Sequence, residues 1–495
     1  MKFLVRPFLT LILSAIAFYS VAQLVMPGDY PDPSVTKVGD TFWASATTSN
    51  WAPIFPLLSS KDLIHWETKG FVFNKAPDWA DYYFWAPEIE YENGKVFVYY
   101  SAHKKGGNLC LSIASADKPE GPYTDHGPLM CQDVGSIDAF PMRDKNGKLY
   151  LIWKEDGNSV GKPTPIWISE MKEDRTGLIG EKKELFRNDA EWERNLVEGV
   201  SMIRHGEYFY AFYAAAGCCG SGCTYATGVA RAKALLGPWE KYEKNPILDS
   251  TNEWKCPGHG TPVEKDGKYY FLFHAYDSGS SVYAGRQGLL REFEFTPDGW
   301  LQFTDEISPD VKVKPEIEDE FADKSLSALW QWSVLSPADF RERDGVLELT
   351  PKGDGKPAFV GQKTYTSDYR AQTSVVVGQS SAEAGLAAIG DEDNMLGISL
   401  VGGKVRVWKR EKGALTITYE KSLPKSKAVF FRLNVRNGSQ MNFSYSVDGK
   451  TFTEAGSGSL DASFLPPWDR AVRVGLVSIG QNTTKAVFEN FILYH

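Results

Sequence analysis

The stretch from Asn146 to Glu155, NGKLYLIWKE, joins a turn dipeptide to a run of aromatic and aliphatic β-formers. That is the signature of a tight hairpin whose second strand is buried. The pattern recurs four more times: VGDTFWASAT from Val38, NGKVFVYYSA from Asn93, HGEYFYAFYA from His205 and DGKYYFLFHA from Asp266. Its turn glycines, Gly39, Gly94, Gly147, Gly206 and Gly267, are 55, 53, 59 and 61 residues apart. Such a spacing holds about four short strands, the content of one β-propeller blade. Helical periodicity is scarce along the chain. The repeat therefore predicts an all-β protein whose first 300 or so residues form a five-bladed β-propeller. An irregular sandwich with unrelated hairpins is the competing arrangement, and five similar units at near-even spacing count against it.

Upstream of each turn lies a segment that would become the innermost strand of its blade. Six to nine residues before the turn glycines stand Asp32 (GDYPDPSV), Glu88 (FWAPEIEYENG), Asp138 (GSIDAFPMRDKNG), Glu198 (NLVEGVSMIRHG) and His259 (CPGHGTPVEKDG). Taken singly, each is an ordinary turn, capping or solvated side chain. Asp32 lies between Pro31 and Pro33, which restrict the backbone and predict an extended or turn conformation there. Recurrence in all five units points instead to one central cavity. Converging carboxylates suit cation binding or glycoside hydrolysis, in which one carboxylate is ionised and another protonated. A nearby cation and a nearby like charge are what separate two such groups. Arg286, in VYAGRQGLLREFEF, supplies a candidate cation. Trp85, three residues before Glu88, is a candidate platform for a sugar ring, and Phe140 and Glu88 join it as candidate substrate contacts. Core packing and a surface ion pair are the ordinary alternatives for Trp85 and Arg286.

The remaining composition narrows the function. A formal net charge of -9, with no basic stripe, argues against a nucleic-acid partner. Aromatic residues make up 13% of the chain, including 15 Trp and 23 Tyr. They suit sugar binding and also fill β-sheet cores. Lys2 and Arg6, the apolar run from Phe8 to Ala22 and the small residues before Gln23 read as a signal peptide over residues 1–22. No later stretch is long enough to span a membrane, and the signal holds no lipidation cysteine, so a secreted or periplasmic protein is expected. The six cysteines all fall after it and predict disulfides of unspecified pairing. CCGSGC, residues 218–223, lacks the second pair that a zinc site would need and is expected to be a disulfide-braced loop.

These motifs together resemble glycoside hydrolase family 43: YPDPS around Asp32, WAPEI from Trp85, IDAFPMRDKNGKLYLIW around Asp138, VEG around Glu198, GHGTPV around His259 and GRQ around Arg286. They follow the family's order and span roughly residues 24–310. The resemblance implies an inverting glycosidase in which Asp32 is the general base, Glu198 the general acid, and Asp138 the group that keeps Glu198 protonated and oriented. It also implies that His259 lies on the propeller axis, where it often helps hold a structural calcium ion through water. The family often has proline after the Glu-Gly pair, whereas Val200 stands here, which puts the rigidity of that strand in doubt.

The prolines and mixed charges of TDEISPDVKVKPEIEDEF mark a break, with a linker expected at 311–318 after a catalytic domain at 23–310. From residue 319 to 495, alternating segments such as KVRVWKRE and FFRLNVRNG predict an antiparallel sandwich. It resembles the lectin-like jelly-roll domain that follows the propeller in many family 43 β-xylosidases and helps close the pocket there. A freestanding sugar-binding module is the other reading. The expected activity is removal of terminal pentoses, as a β-xylosidase or α-L-arabinofuranosidase, from plant-type oligosaccharides or polysaccharides. The alternatives are a hydrolase of another sugar, such as galactan, and a non-catalytic carbohydrate-binding protein. The sucrose-splitting relatives usually carry an Asn-Asp-Pro-Asn-Gly stretch that YPDPSV lacks.

Overall fold

The computed structural model describes residues 22–279, 281–304, 311–314, 316–323 and 325–495. The expected signal peptide lies outside them except for Ala22. The described chain is nearly all β. Five antiparallel sheets, each of four or five strands, occupy the first part in chain order. The first sheet runs through Ser34–Val38, Thr41–Ser45, Ile54–Ser60 and Glu67–Phe73. The second comprises Ala80–Glu92, Lys95–Lys104, Leu109–Ala116 and Thr124–Cys131. The third comprises Ser136–Arg143, Leu149–Glu155, Ile166–Met171 and Leu178–Phe186. The fourth comprises Val197–His205, Tyr208–Ala215, Ala226–Ala232 and Glu240–Lys241. The fifth joins Trp254–Lys265, Lys268–Asp277 and Arg286–Phe295 to Leu301–Phe303 and to the N-terminal strand Gln23–Met26. That last pairing, Gln23 opposite Leu290, ties the start of the chain to the end of the fifth sheet.

The five turn glycines sit between the first and second strands of their sheets with φ from +56° (Gly206) to +87° (Gly147), a region open to glycine at no steric cost. Each second strand is almost wholly buried, as the pattern in Tyr208–Ala215 shows. The reason is that successive sheets stack face to face with an apolar layer between them. Phe55 and Tyr100 fill the layer between the first and second sheets, and Tyr99 and Leu151 that between the second and third. Ile152 and Phe209 fill the next, Phe212 and Phe271 the fourth. Phe42 and Leu272 fill a fifth layer, between the fifth and first sheets. The first strands follow the same circuit, each touching the next, and the fifth touching the first. Each such side chain contributes about 1.5–3 kcal/mol by leaving water.

The second part of the chain is a sandwich of a nine-stranded and a six-stranded antiparallel sheet over one core, with Leu347, Phe431 and Phe488 from one side and Val360, Leu386 and Val407 from the other. Its first strand, Glu316–Asp319, already pairs with Ala486–Tyr494. The stretch expected as linker at 311–318 is therefore shared with the sandwich, because alternate residues of EIED find a free strand edge.

The two parts are joined by β pairing and by buried charge. Trp332–Ser333 pairs with Trp51–Ala52, and Trp51 meets Phe359 edge to face at 6.0 Å. Arg473 of the sandwich is 1% exposed. Its guanidinium donates to Asp29 Oδ2 at 3.0 Å and to Gln331 Oε1 at 2.7 Å. Desolvating such a pair is costly, and removing one partner strands the other. Asp29→Asn should therefore lower stability by about 3–5 kcal/mol, read as an earlier midpoint in denaturant unfolding. Asp40→Asn, at the exposed pair with Lys61, should leave that midpoint in place.

Candidate active site

Each sheet's entry toward the centre carries a residue with left-handed backbone: Asp32 (φ +50°), Ala86 (+47°), Asp138 (+61°), Gly199 (+61°) and His259 (+36°). Asp32 thus takes the turn alternative that its flanking prolines allowed, not the extended one. Its backbone N–H donates to His274 Nδ1 at 2.9 Å, and Thr47 Oγ1 donates to its Oδ2 at 2.6 Å; these bonds over-determine the turn. In the other four sheets the pairing register slips at this point, between Trp85 and Glu88, Ile137 and Phe140, Glu198 and Ser201, and Gly258 and Gly260. Such bulges re-aim side chains that a regular strand would send into the layers between sheets. A Cβ on Gly199 would lie 2.8 Å from His259 Cγ, so only glycine fits beside Glu198. Val200, where proline is frequent among the resembling proteins, falls within the slip between Glu198 and Ser201 and is buried.

One cavity of about 370 Å³ gathers Asp32, Trp85, Asp138, Glu198, His259 and Arg286. Its two carboxylate walls differ in charge. Arg286 Nη1 lies 3.3 Å from Asp32 Oδ1, and His259 Nδ1 lies 3.5 Å from the same oxygen. Burial alone would raise the Asp32 pKa, but Arg286, then His259, and the Thr47 hydrogen bond outweigh it and bring it down to about 2. Asp138 goes the other way: burial, helped by Glu198 and opposed by His259 and Lys154, pushes it up to about 6. Asp138 Oδ2 accepts the Gly199 N–H at 2.8 Å, which holds it against the backbone that carries Glu198. Glu198 in turn accepts from Lys154 Nζ at 2.5 Å and Tyr225 OH at 2.8 Å. Lys154 is 1% exposed and also bonds Asp156 at 2.9 Å.

Two expected substrate contacts lie elsewhere. Phe140 is in the apolar layer between the third and fourth sheets, because the bulge at Asp138 restores ordinary alternation just after it. Glu88 does not line the cavity. Its carboxyl accepts from Thr261 Oγ1 at 3.1 Å, and burial raises its pKa well above the usual range; the residue turned toward the cavity in that strand is Trp85. Among the described residues, no group of three or more His, Cys, Asp or Glu side chains is arranged around a metal position.

Other lining residues carried no signal in the motif reading. Lys154 closes the NGKLYLIWKE repeat, and its place at the central end of a second strand is the one clue the repeat offered. Tyr83 stacks on Trp85 at 4.4 Å. Trp468 and Asp469 come from the sandwich. Trp468 meets Trp85 edge to face at 5.8 Å, while Asp469 Oδ2 accepts from Trp85 Nε1 at 3.2 Å and also from Ser49 Oγ. The Asp469 carbonyl accepts from Arg286 Nη2 at 3.1 Å. The sandwich thus orients both the aromatic wall and the cation. The expected braced loop is present: Cys218 bonds Cys219, Cys223 bonds Cys256, and the third disulfide is Cys110–Cys131.

Comparison with known proteins agrees with this geometry. The family model described as glycosyl hydrolases family 43 matches residues 22–301, and that described as the beta xylosidase C-terminal concanavalin A-like domain matches residues 318–491. Similar proteins include the xylan 1,3-beta-xylosidase of a Vibrio species, 27% identical over 386 residues, which are 67% of this chain and 68% of that protein. The non-reducing end alpha-L-arabinofuranosidase BoGH43B of Bacteroides ovatus is 24% identical over 419 residues, 75% of this chain and 74% of that protein. The solved GH43 protein BlXynB of Bacillus licheniformis shares the fold, with a TM-score of 0.81 at 24% identity over 96% of this chain and 100% of that one. With the first model matching more than half of its length, the chain belongs to glycosyl hydrolases family 43 and is a glycoside hydrolase.

Proposed function

We propose that the protein is a secreted, inverting exo-glycosidase that removes terminal pentoses from plant-type oligosaccharides or polysaccharides, as a β-xylosidase, an α-L-arabinofuranosidase or both. The observation that carries this reading is the contrast between the two walls: Asp32, its pKa brought down to about 2, lies against Arg286, and the buried Asp138, its pKa pushed up to about 6, lies against the Glu198 backbone. The unbroken circuit of five sheets and five apolar layers supports reading the first part as a five-bladed propeller with this pocket at its centre. The aromatic rim to which Trp468 contributes supports exo action, since it narrows the mouth around one chain end. Three disulfides support export to an oxidising compartment. The names of the two relatives supply the pentose class.

In this mechanism Asp32 takes a proton from a water molecule as the water oxygen bonds to the anomeric carbon. The bond to the leaving sugar breaks, and Glu198 gives its proton to the departing oxygen. Asp138 is the positioning group for Glu198, Lys154 and Tyr225 fix the Glu198 carboxyl, and Trp85 and Arg286 border the terminal sugar. A calcium ion held through water by His259 remains part of the proposal, and no step depends on it. A lectin would have no use for two carboxyls of such different acidity facing one cavity.

Nitrophenyl glycosides of several sugars, with the anomer of the first product followed by NMR, should show cleavage of a pentoside with inversion. Retention of configuration would overturn the mechanism. Asp32→Asn should lower kcat by about 10²- to 10⁴-fold with the fold intact by circular dichroism. Glu198→Gln should lose far more activity on natural disaccharides than on activated aryl glycosides, and equal losses would remove it as the acid.

The pH profile follows from the same charges. Asp32 is in its basic form above about 2, so the acid limb of kcat/KM should lie well below the ordinary carboxylate range. Asp138 loses its proton as pH rises through about 6, and its negative charge then favours the protonated form of the acid that sets the alkaline limb. Asp138→Asn removes a negative charge that favours the protonated acid, so this limb should move to lower pH. An unmoved limb would count against the coupling.

A further inference from the structure

We propose that the Cys218–Cys219 disulfide is the binding wall of the leaving-group subsite and selects a leaving sugar that presents an apolar ring face. The inference rests on the glycosidase reading above and extends it to the far side of the scissile bond.

A disulfide that stabilises a fold does so mainly by closing a long loop of the unfolded chain, and the effect grows with the number of residues enclosed. Cys110–Cys131 and Cys223–Cys256 span 21 and 33 residues. Cys218–Cys219 joins neighbours and encloses none, so chain entropy gives it no stapling role. What it makes instead is a local surface. Both cysteines line the catalytic cavity and both are half-buried. Bonded together, they offer a compact polarisable face with no N–H or O–H donor.

The position of this face identifies what it meets. Ala214 pairs with Glu198 and Ala215 with Val197. The chain then leaves the strand and reaches Cys218 and Cys219 just past the acid's end of the sheet. Glu198 protonates the leaving oxygen, so the departing sugar emerges on this side. Leu196 and Tyr225, from the same sheet, continue the wall, and the sandwich reaches the same rim where Gly220 approaches the Trp468 carbonyl. The wall is also held in shape before any sugar arrives. Thr224 N donates to the Gly217 carbonyl at 2.8 Å, Gly220 N to Tyr276 OH at 3.3 Å, and Cys223 is bonded to Cys256. Preorganisation of this kind converts contact area into affinity with little ordering cost. The occupant it fits is a pyranose with equatorial hydroxyls, whose ring face carries only C–H groups, as in a xylose residue of a β-linked chain.

The test compares two substrates of whichever pentose the full-length enzyme removes: a disaccharide with a xylose leaving group, and the pentosyl fluoride, which has no leaving sugar. In Cys218→Ser/Cys219→Ser, kcat/KM for the disaccharide should fall about tenfold, the loss of two methylene-sized apolar contacts. The change should lie mainly in KM, with the fluoride unaffected. Unchanged disaccharide kinetics, or equal losses on both substrates, would overturn the proposal. If the variant fails to fold, the same comparison is made on wild-type enzyme reduced and alkylated in the native state, with peptide mass mapping to show label on Cys218 and Cys219. A loss confined to the disaccharide supports the assignment, and an equal or absent loss rejects it. A wild-type enzyme that cleaves neither substrate would instead bring down the glycosidase reading, and this inference with it.

Discussion

Left-handed backbone at the inner edge of each sheet is the constraint on which the site depends. A regular strand alternates its side chains between two faces, and in stacked sheets both faces are occupied by apolar layers. No regular position is left for a carboxylate to point at the centre. The bulges at Asp138 and His259, and the turn at Asp32, hold non-glycine residues in left-handed backbone to create such positions, while Gly199 adopts it freely beside Glu198. The surrounding packing holds them in place: Gly199 is pressed against His259, and Asp32 is tied to His274 and Thr47. Apolar stacking between sheets and polar convergence at the centre are two results of the same alternation, kept outside and broken inside.

That convergence would be unstable if its charges were alike. The arrangement sorts them instead. Arg286 offsets the Asp32 charge, with His259 beside the same oxygen, while Lys154 bridges Glu198 and Asp156 on the other wall. A buried lysine bonded to the proposed acid opposes its protonation, since a cation favours the carboxylate. Asp138 offsets it from the other side once it is ionised, and burial pushes the pKa of Asp138 itself up to about 6. The acid wall is therefore one buried cation set among three carboxyls, Glu198, Asp156 and Asp138.

The sandwich takes part in this balance from outside. Asp469 fixes the Trp85 indole, its carbonyl holds Arg286, and Arg473 answers Asp29 two residues from Pro31. A module joined only by a flexible linker could not supply such contacts. The β pairing of Trp332–Ser333 with Trp51–Ala52 and the buried Arg473–Asp29 pair tie the two parts together.

The sequence by itself determined the repeat, the all-β architecture and the identity of most charged groups at the centre. These are encoded locally: a turn glycine next to an alternating strand has few other ways to fold, and recurrence reveals a shared place. Asp32, Asp138, Glu198, His259, Trp85 and Arg286 were legible for that reason. Only the tertiary structure decided which way each side chain faces once the strand is bulged. That is why Phe140 and Glu88, close in sequence to cavity residues, are turned away from the cavity. It also decided what lies opposite. Lys154, Tyr225, Trp468 and Asp469 carry no motif of their own, and Asp469 stands 384 residues from the Trp85 indole it holds. Such partners are set by the docking of one sheet on another, where burial makes an unpaired charge costly and so selects the neighbour that answers it.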